Sequence, residues 1–313
     1  MTKPILIAGG IKVAIGKQQV SEAVFAQRNG HQLGLLLVTV SAVAWSTAGL
    51  FTRLIPLDTG TILVWRGVFG AVGILTLAFA IQGRNAIRDI RKMGGAGWSF
   101  AMVSAVGMLC FITSLRMTTV AHVSIIYATV PLVAAALAWV LIGERPARSA
   151  VVASVFSLFG VGIIVGLGAE GNLVGNVLAF GMTFSLAVMM VISRRFQDIP
   201  ILPAACVSAL LSSVAAFPFS NGLFVSGYDM SLLALFGLVN SAIGLALFTV
   251  GARMIPAIET ALIGALDAPL APIWVWLCFA EIPSAETITG GAMVFIAVVL
   301  HILQQSGQST KTH

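Results

Sequence analysis

The stretch PLVAAALAWVLIGERP, residues 131–146, recurs in altered form as PLAPIWVWLCFAEIP, residues 269–283. The tryptophan, the glutamate and the closing proline keep their mutual spacing, with Glu144 in the first copy and Glu281 in the second. The opening proline lies 13 residues before the glutamate in one copy and 12 before it in the other. One further apolar run follows each copy, so the repeat marks corresponding positions in two similar halves of the chain.

The composition around this repeat is that of a membrane protein. Of 313 residues, 58% are hydrophobic and only 9% are charged, against roughly a quarter charged in soluble domains. These values exclude a soluble globule and a disordered chain. The net charge of +6 reflects scarce acids, 11 against 17 bases, and no basic tract is present, which excludes a nucleic-acid binder. With a mean hydropathy of +1.03, the chain belongs in a bilayer.

Apolar runs of spanning length recur between short charged or Gly/Pro breaks. A spanning helix needs about 20 apolar residues, and these runs are apolar on all faces, as helices in lipid are. We therefore predict an all-α integral membrane protein with ten transmembrane helices. The predicted spans are 34–54, 60–82, 97–115, 119–142, 149–168, 173–193, 200–218, 230–252, 258–280 and 287–304.

The distribution of basic residues supports this count. With the N-terminus in the cytoplasm, every Lys and Arg outside the spans falls on the cytoplasmic side except Arg53 and Arg116. This is the positive-inside asymmetry of a correctly counted membrane protein. We predict that both termini are cytoplasmic and that the multi-pass protein lies in the bacterial inner membrane, a location that also leans on the family resemblance described below.

The two halves have an odd number of spans each. Five spans per half force the second half to enter the membrane from the opposite side, which is the inverted repeat of many secondary transporters. We expect a basic cytoplasmic tail at 1–33, a first five-helix repeat at 34–168, a second at 173–304 and a cytoplasmic C-terminal tail at 305–313. Two such halves can rock around a shared site at the membrane midplane.

The sequence resembles the EamA-type transporters of the drug/metabolite transporter superfamily. The resemblance rests on AWSTAG at 44–49, WRG at 65–67, the stretch that opens at Pro131, and APLAPIWVW at 268–276 ahead of the second glutamate. It covers about residues 34–304. The second copy departs from the family pattern at Ala280, where glycine is usual. The resemblance implies export or uptake of small metabolites, often amino acids, from a central cavity, and it leaves the substrate open.

Two charged residues lie deep inside predicted spans, away from the span ends. Arg66 is about six residues into the second span, where a central arginine costs about 2.5–3.5 kcal/mol on insertion scales. It either snorkels to the outer interface or serves as a cationic handle for a substrate carboxylate or as a gate partner. Asp267 lies seven residues into the ninth span and is too short to snorkel. It binds a substrate ammonium, carries a proton, or makes a structural hydrogen bond to a neighbouring helix.

Further candidates share a helix face or a break with these charges. Trp274 lies seven residues after Asp267 and therefore on the same face. Asp267 precedes a proline by two residues, as Thr129 does in the first half, and matching helix breaks point to transporter sites. Asn240 lies either at the site or in a hydrogen bond between helices. The predicted substrate-binding or coupling residues are Trp45, Arg66, Tyr127, Asn240, Asp267 and Trp274, and the predicted structural-motif residues are Pro131, Gly143, Glu144, Pro269 and Glu281. We expect His122, near a span end, at the membrane interface.

Several chemistries have no sequence support. The chain shows no P-loop for ATP, no metal-ligand cluster and no hydrolase triad. We therefore predict no enzyme, no metal and no cofactor. Expected partners are a small-molecule substrate and the lipid bilayer, with no nucleic acid and with the protein a monomer or weak dimer. The leading hypothesis is a secondary transporter, an exporter of small polar metabolites such as amino acids. The alternatives are a transporter of nucleotide sugars, purines or amphipathic drugs, or a membrane enzyme or lipid-handling subunit.

Overall fold

The computed structural model describes residues 5–6, 12–13, 17–83, 85–91, 93–143, 148–167, 171–255, 260, 263–264 and 266–309. Within these ranges the protein is helical, apart from a short antiparallel pair of strands, β1 (Ile5–Leu6) and β2 (Lys12–Val13). The helices are α1 (Lys17–Ser46), α2 (Ala48–Leu54), α3 (Thr59–Gln82), α4 (Asn85–Arg91), α5 (Gly95–Met117), α6 (Val120–Ala128), α7 (Val130–Ile142), α8 (Arg148–Leu167), α9 (Leu173–Arg195), α10 (Ile201–Ala216), α11 (Gly227–Phe236), α12 (Gly244–Gly251), α13 (Asp267–Phe279) and α14 (Ala285–Ser309), with a 3₁₀ turn at Phe217–Phe219 and a π-helix at Gly237–Ile243.

Many of these helices are long and apolar enough to cross a membrane. Among the described residues, six segments reach that length and hydropathy, and the pair α6–α7, bent by 40°, is a seventh candidate. Three shorter apolar helices lie at Val151–Ile163, Asp267–Phe279 and Ala285–Ala297. The chain is therefore a multi-pass membrane protein, and the count of ten spans stays a prediction. The six long segments are Gly30–Leu54, Thr59–Ile81, Gly95–Met117, Leu173–Arg195, Ile201–Phe219 and Gly227–Gly251.

The first helix breaks where the AWSTAG motif lies. Helix α1 begins at Lys17, well ahead of the expected span start at residue 34, and ends at Ser46, and α2 resumes at Ala48. The hydroxyls of Ser46 and Thr47 donate to the carbonyls of Val43 and Ala44, at 2.8 and 2.6 Å. Hydroxyls that bond back to the preceding turn compete with the backbone ladder and bend helices, which accounts for a break at this place.

The second break separates α6 from α7 at Thr129. Pro131 is the second residue of α7, where its missing N–H costs no hydrogen bond within the new helix. The Ile126 carbonyl at the end of α6 accepts bonds from the Thr129 backbone N–H and hydroxyl, at 3.1 and 2.7 Å. The Thr183 hydroxyl of α9 also donates to it at 3.3 Å. The bend is thus held by α9 as well as by proline.

Glycines on α3 let two neighbouring helices approach closely. A Cβ at Gly67 would overlap the hydroxyl of Ser213 and the carbonyl of Ala209 on α10. A Cβ at Gly70 would meet the side chain of Ser241 in the π-helix. Small residues at helix interfaces permit such contact between backbones in membranes. Helix α3 therefore packs tightly against α10 and the π-helix, and the neighbouring Arg66 is held between them.

Asp58 begins α3 as its N-cap. Its Oδ1 accepts from the Thr61 backbone N–H at 2.9 Å and its Oδ2 accepts from the Thr61 hydroxyl at 2.7 Å. Burial alone raises the pKa of Asp58, but these hydrogen bonds favour the carboxylate and together lower the pKa below its ordinary value. The cap satisfies N–H groups that have no partner inside the helix.

The two copies of the repeat end their helices in the same backbone conformation. Gly143 follows α7 with φ of 79°, and Ala280 follows α13 with φ of 54°, both left-handed. Among the described residues Ala280 is the only non-glycine with positive φ. A left-handed cap is usual at helix ends and favours glycine because a Cβ there is strained. The departure from the family pattern at Ala280 therefore carries a cost in stability. Glu144 lies outside the described residues.

We expect Ala280→Gly to stabilise the protein by about 1 kcal/mol, because it relieves the left-handed strain of alanine. Thermal unfolding in detergent should show a midpoint raised by about 2 °C. Gly143→Ala is the matched control, since both positions are exposed and no atom lies within 4 Å of a Cβ built at Gly143. It should lower the midpoint by a similar amount, and an unchanged midpoint in both variants would contradict the assignment of strain.

Candidate functional site

A cavity of about 340 Å³ lies between the broken helices. Its volume is at the lower end of the range for small-molecule sites. The walls come from both halves of the chain: α1 to α3, α5 and α6 of the first, α9, α10, the π-helix, α12 and α13 of the second. Five of the six predicted site residues line this one cavity, and their role in binding stays a prediction. These five are Trp45, Arg66, Tyr127, Asn240 and Asp267.

Arg66 lies in the protein interior with 4% of its surface exposed, so it does not snorkel to the interface. Its Nη2 donates to Oδ1 of Asn240 at 3.0 Å, and its Nη1 lies 2.8 Å from the sulfur of Met108. The guanidinium carbon lies 4.8 Å from the centre of the Phe236 ring, a cation–π distance. The buried Nε has no hydrogen-bond partner. In the described part of the chain, the groups that contact this cation, Asn240, Met108 and Phe236, are therefore neutral.

Asp267 is the first residue of α13 and brings a negative charge to the same cavity. In the described part of the chain, no ion pair joins Asp267 to Arg66 within 4.0 Å. Tyr127, at the end of α6, lies within electrostatic range of the carboxylate. Pro269 is the third residue of α13, where a missing N–H is tolerated. The two charges of the cavity are therefore held apart by the protein.

Asn240 connects the arginine to the broken end of α1. Its Nδ2 donates to the carbonyls of Ala44 and Trp45 at 3.0 and 3.2 Å. Its own backbone carbonyl accepts from the Trp45 indole at 2.9 Å. Asn240 lies in the π-helix, an irregularity that often marks functional sites. It makes hydrogen bonds between helices and also lines the cavity, and its role at the site stays a prediction.

Trp274 does not line the cavity, although it follows Asp267 by two helical turns. Its indole donates to the hydroxyl of Ser46 at 2.8 Å, and Ser46 does line the cavity. The Trp274 indole therefore contacts a residue of the cavity wall without facing the cavity itself. Equal spacing on one helix face could not reveal this, because the break in α1 places Ser46 between the indole and the open space.

Sequence reasoning missed several wall residues. Ser208 of α10 donates to Ser104 of α5 at 2.7 Å, and both line the cavity. Methionine and aromatic side chains, among them Met108, Phe111 and Met182, form the apolar part of the wall. None of these residues carries a charge or belongs to a motif, so no sequence signal separates them from ordinary residues of a span.

His122 is buried within the protein near the start of α6, and its position at the depth of the membrane interface stays a prediction. It is fully buried, and its ring nitrogens lie 3.3 Å from Oδ1 of Asn176 and 3.1 Å from the Thr287 hydroxyl. The Thr118 hydroxyl donates to the same Asn176 oxygen at 2.9 Å. A buried polar network of this kind satisfies its members internally. The partners lie far away in sequence, so the sequence alone did not predict this network.

The two arginines that the sequence places outside connect several elements of the protein. Arg53 pairs with Glu281 at 3.4 Å, and the two side chains are 30% and 34% exposed. Arg53 also lies 3.4 Å from the carbonyl of Thr118. Arg116 donates to the carbonyls of Thr52 and Leu57, both at 2.9 Å. Glu281 of the repeated motif thus links the second half of the chain to the first.

Comparison with known proteins agrees with this architecture. Residues 32–166 match the EamA-like transporter family. An uncharacterized transporter of Archaeoglobus fulgidus is 24% identical over 275 residues, which cover 85% of this chain and 95% of that protein. Residues 32–166 therefore resemble an EamA-like transporter domain. The match confirms the resemblance to EamA-type drug/metabolite transporters, and the names of the family and of the archaeal relative indicate a transporter rather than an enzyme.

A solved structure shares the fold of this protein. It is described only as the crystal structure of a protein, and it superposes with a TM-score of 0.63 at 16% identity. The alignment covers 87% of this chain and 96% of that one. At this identity the likeness concerns the fold alone.

The cavity should admit water-soluble reagents. Ser124 lines the cavity. We expect the Ser124→Cys variant to react with a small charged methanethiosulfonate at least ten times faster than the Ser114→Cys variant. Ser114 is fully buried on α5 and is not part of the cavity wall. Both variants are made after Cys110, Cys206 and Cys278 are replaced by alanine. Equal rates at the two positions would show that the cavity is not accessible to water.

Proposed function

We propose that this protein is a secondary transporter that exports small polar metabolites, such as amino acids, across the bacterial inner membrane by alternating access. The observation that carries the proposal is the pair of unpaired opposite charges, Arg66 and Asp267, in the walls of one cavity. Charged residues inside membrane spans are costly and usually mark substrate or ion pathways. A solute with both an anionic and a cationic group would provide a partner for each.

The helix contacts support an inverted repeat of two five-helix halves. If each helix of the first half is exchanged for its counterpart in the second, the pair α5–α9 becomes α12–α1, and both pairs are in contact. The contact of α3 with the π-helix becomes the contact of α10 with α5, which is also made. The pairs α3–α10, α6–α13 and α8–α14 map onto themselves. The family match at 32–166 spans nearly the whole of the first proposed repeat.

The contact between Arg53 and Glu281 supports alternating access. The Arg53–Glu281 pair joins α2 of the first half to the loop after α13 in the second half. It is partly exposed, and exposed ion pairs contribute only about 0–1 kcal/mol to stability. A contact of this strength can break and re-form during a transport cycle, whereas a large buried interface could not. The transport cycle would open the protein at this contact and close the other end around the same two charges.

The apolar part of the wall supports a solute with an apolar body. Met108, Phe111 and Met182 offer aliphatic, sulfur and aromatic surface, and flexible methionines adapt to varied shapes. Arg66 would bind a carboxylate, and Asp267 would bind an ammonium or exchange a proton for it. A neutral amino acid carries these three features together. Nucleotide sugars would carry an additional anionic group for which the described cavity offers no second base.

Flux measurements test the proposed function. Purified protein in proteoliposomes should move one or more of a panel of radiolabelled amino acids faster than protein-free vesicles. The panel is run with and without a pH gradient, alongside uridine diphosphate glucose and adenine. Movement of only uridine diphosphate glucose or adenine would replace the proposed substrate class. Movement of none of the solutes would refute a transporter of these compounds.

The variant Asp267→Asn separates charge from packing, because it keeps the size of the side chain. We expect flux to fall at least tenfold while the protein still inserts in the membrane. If Asp267 carries a proton, exchange of substrate across equal pH should survive and only gradient-driven flux should fail. If it binds the ammonium, both should fail together. Asp198→Asn, an exposed carboxylate after α9, is the control, and normal flux in both variants would make Asp267 structural.

The proposed topology has ten spans with both termini in the cytoplasm. A reporter that is active only in the cytoplasm should therefore be active when fused after Gln304. The same reporter inserted between Asn221 and Ser226, in the loop before α11, should be inactive, and a periplasmic reporter should show the reverse pattern. Cytoplasmic activity in the 221–226 loop would contradict the inverted arrangement.

A further inference from the structure

We propose that Asn240 sets the charge selectivity of the cavity. It holds Arg66 in place with a neutral amide, so that the arginine keeps its full positive charge for an anionic group of the solute. In this role Asn240 is a positioning residue and not a substrate ligand. The inference deepens the proposed transport function and names the feature that its solute must have at Arg66, an anionic group such as a carboxylate.

The orientation of the Asn240 amide follows from its hydrogen bonds. Its Nδ2 faces the carbonyls of Ala44 and Trp45, at 3.0 and 3.2 Å, and carbonyls can only accept. Its Oδ1 faces the guanidinium of Arg66 at 3.0 Å, which can only donate. A flipped amide would place donors against donors and acceptors against acceptors. The amide is therefore fixed in one orientation, and the guanidinium is fixed with it.

Two glycines bring this asparagine close to its partners. A Cβ at Gly237 would overlap the backbone of α3 at Arg66 and at Gly70. A Cβ at Gly244 would overlap the indole of Trp45, which donates to the Asn240 carbonyl. These glycines lie at the first position of the π-helix and just after its last. The π-helix with its two glycines thus positions one side chain against both α1 and α3.

No group around Arg66 neutralises its charge. Its contacts are an amide oxygen, the sulfur of Met108 and the ring of Phe236, and its Nε has no partner. In the described part of the chain no carboxylate forms an ion pair with it. A buried charge without a counter-ion is unfavourable, so an anionic group in the cavity would bind beside it. The neutral side chain at position 240 is what leaves that place open.

Asn240→Asp changes this balance with almost no change in size. Aspartate would place a fixed negative charge 3.0 Å from the guanidinium and so supply the counter-ion from within the protein. An anionic group of the solute would then bind less favourably in the cavity. Asn240→Ala is the matched control. Like the aspartate variant, it removes the hydrogen bonds to the carbonyls of Ala44 and Trp45. Unlike the aspartate variant, it adds no negative charge beside Arg66.

The test uses charged thiol reagents and does not depend on transport. In the cysteine-free protein with Ser124→Cys, the rates of a sulfonate-bearing and a trimethylammonium-bearing methanethiosulfonate are measured. Asn240→Asp should lower the ratio of anionic to cationic rates about tenfold, because one unit charge at this range shifts the local potential by about 1–2 kcal/mol. Asn240→Ala should change the ratio less than threefold. Asp267→Asn, which removes the cavity's negative charge, should raise it.

A second variant keeps the proposal falsifiable if Asn240→Asp does not fold. Arg66→Gln removes the positive charge directly and should lower the same ratio about tenfold. An unchanged ratio in every variant that folds would overturn the proposal, as would an equal fall in Asn240→Ala. The flux assay reports separately, because reagent rates that respond as expected in a protein that moves no amino acid would sustain the charge site and refute the transport function.

Discussion

Every backbone polar group inside a bilayer must find its partner within the protein, because lipid offers none. This chain breaks its helices inside the membrane region and therefore has to satisfy the carbonyls that the breaks release. At the end of α1, the carbonyls of Ala44 and Trp45 accept from the Asn240 amide. At the end of α6, the Ile126 carbonyl accepts from Thr129 and Thr183. Polar side chains from distant helices thus hold each break.

These same breaks create the cavity. A continuous helix fills its own space, whereas a broken one exposes polar backbone and turns side chains away from its neighbours. Trp45 lies at the first break, Tyr127 at the second and Asp267 at the start of α13. The residues that repair the backbone and the residues that face the solute space are therefore neighbours, and Asn240 belongs to both groups. Under the proposed function, the residues that satisfy the broken backbone would also shape the binding site for the solute.

The sequence predicted the parts of the fold and site that carry a large physical cost. Arg66 and Asp267 stood out because charge in a span is expensive, and prolines 131 and 269 marked the broken helices. Ala280 stood out because the family usually has glycine at this place, and the structure gives Ala280 a left-handed φ. What the sequence could not reveal depends on tertiary contact: the support that Trp274 gives to Ser46, the Ser104–Ser208 pair, and the burial of His122. Each of these joins residues from different helices through neutral groups, which leave no mark on hydropathy or spacing.

The separation of the two charges matters more than their presence. Had Arg66 and Asp267 formed a buried ion pair, each would have been satisfied, and a solute would have had to separate them at a cost of about 3–5 kcal/mol. In this structure the guanidinium instead bonds to Asn240 in the π-helix, and Asp267 is the first residue of α13. Both charges then depend on groups that enter the cavity. A solute that carries opposite charges at its two ends is attracted at both, and an ion of a single sign is attracted at only one. Under the proposed function, selectivity for zwitterions would follow from the hydrogen bond that holds Arg66 on Asn240 and leaves Asp267 without an ion pair to it.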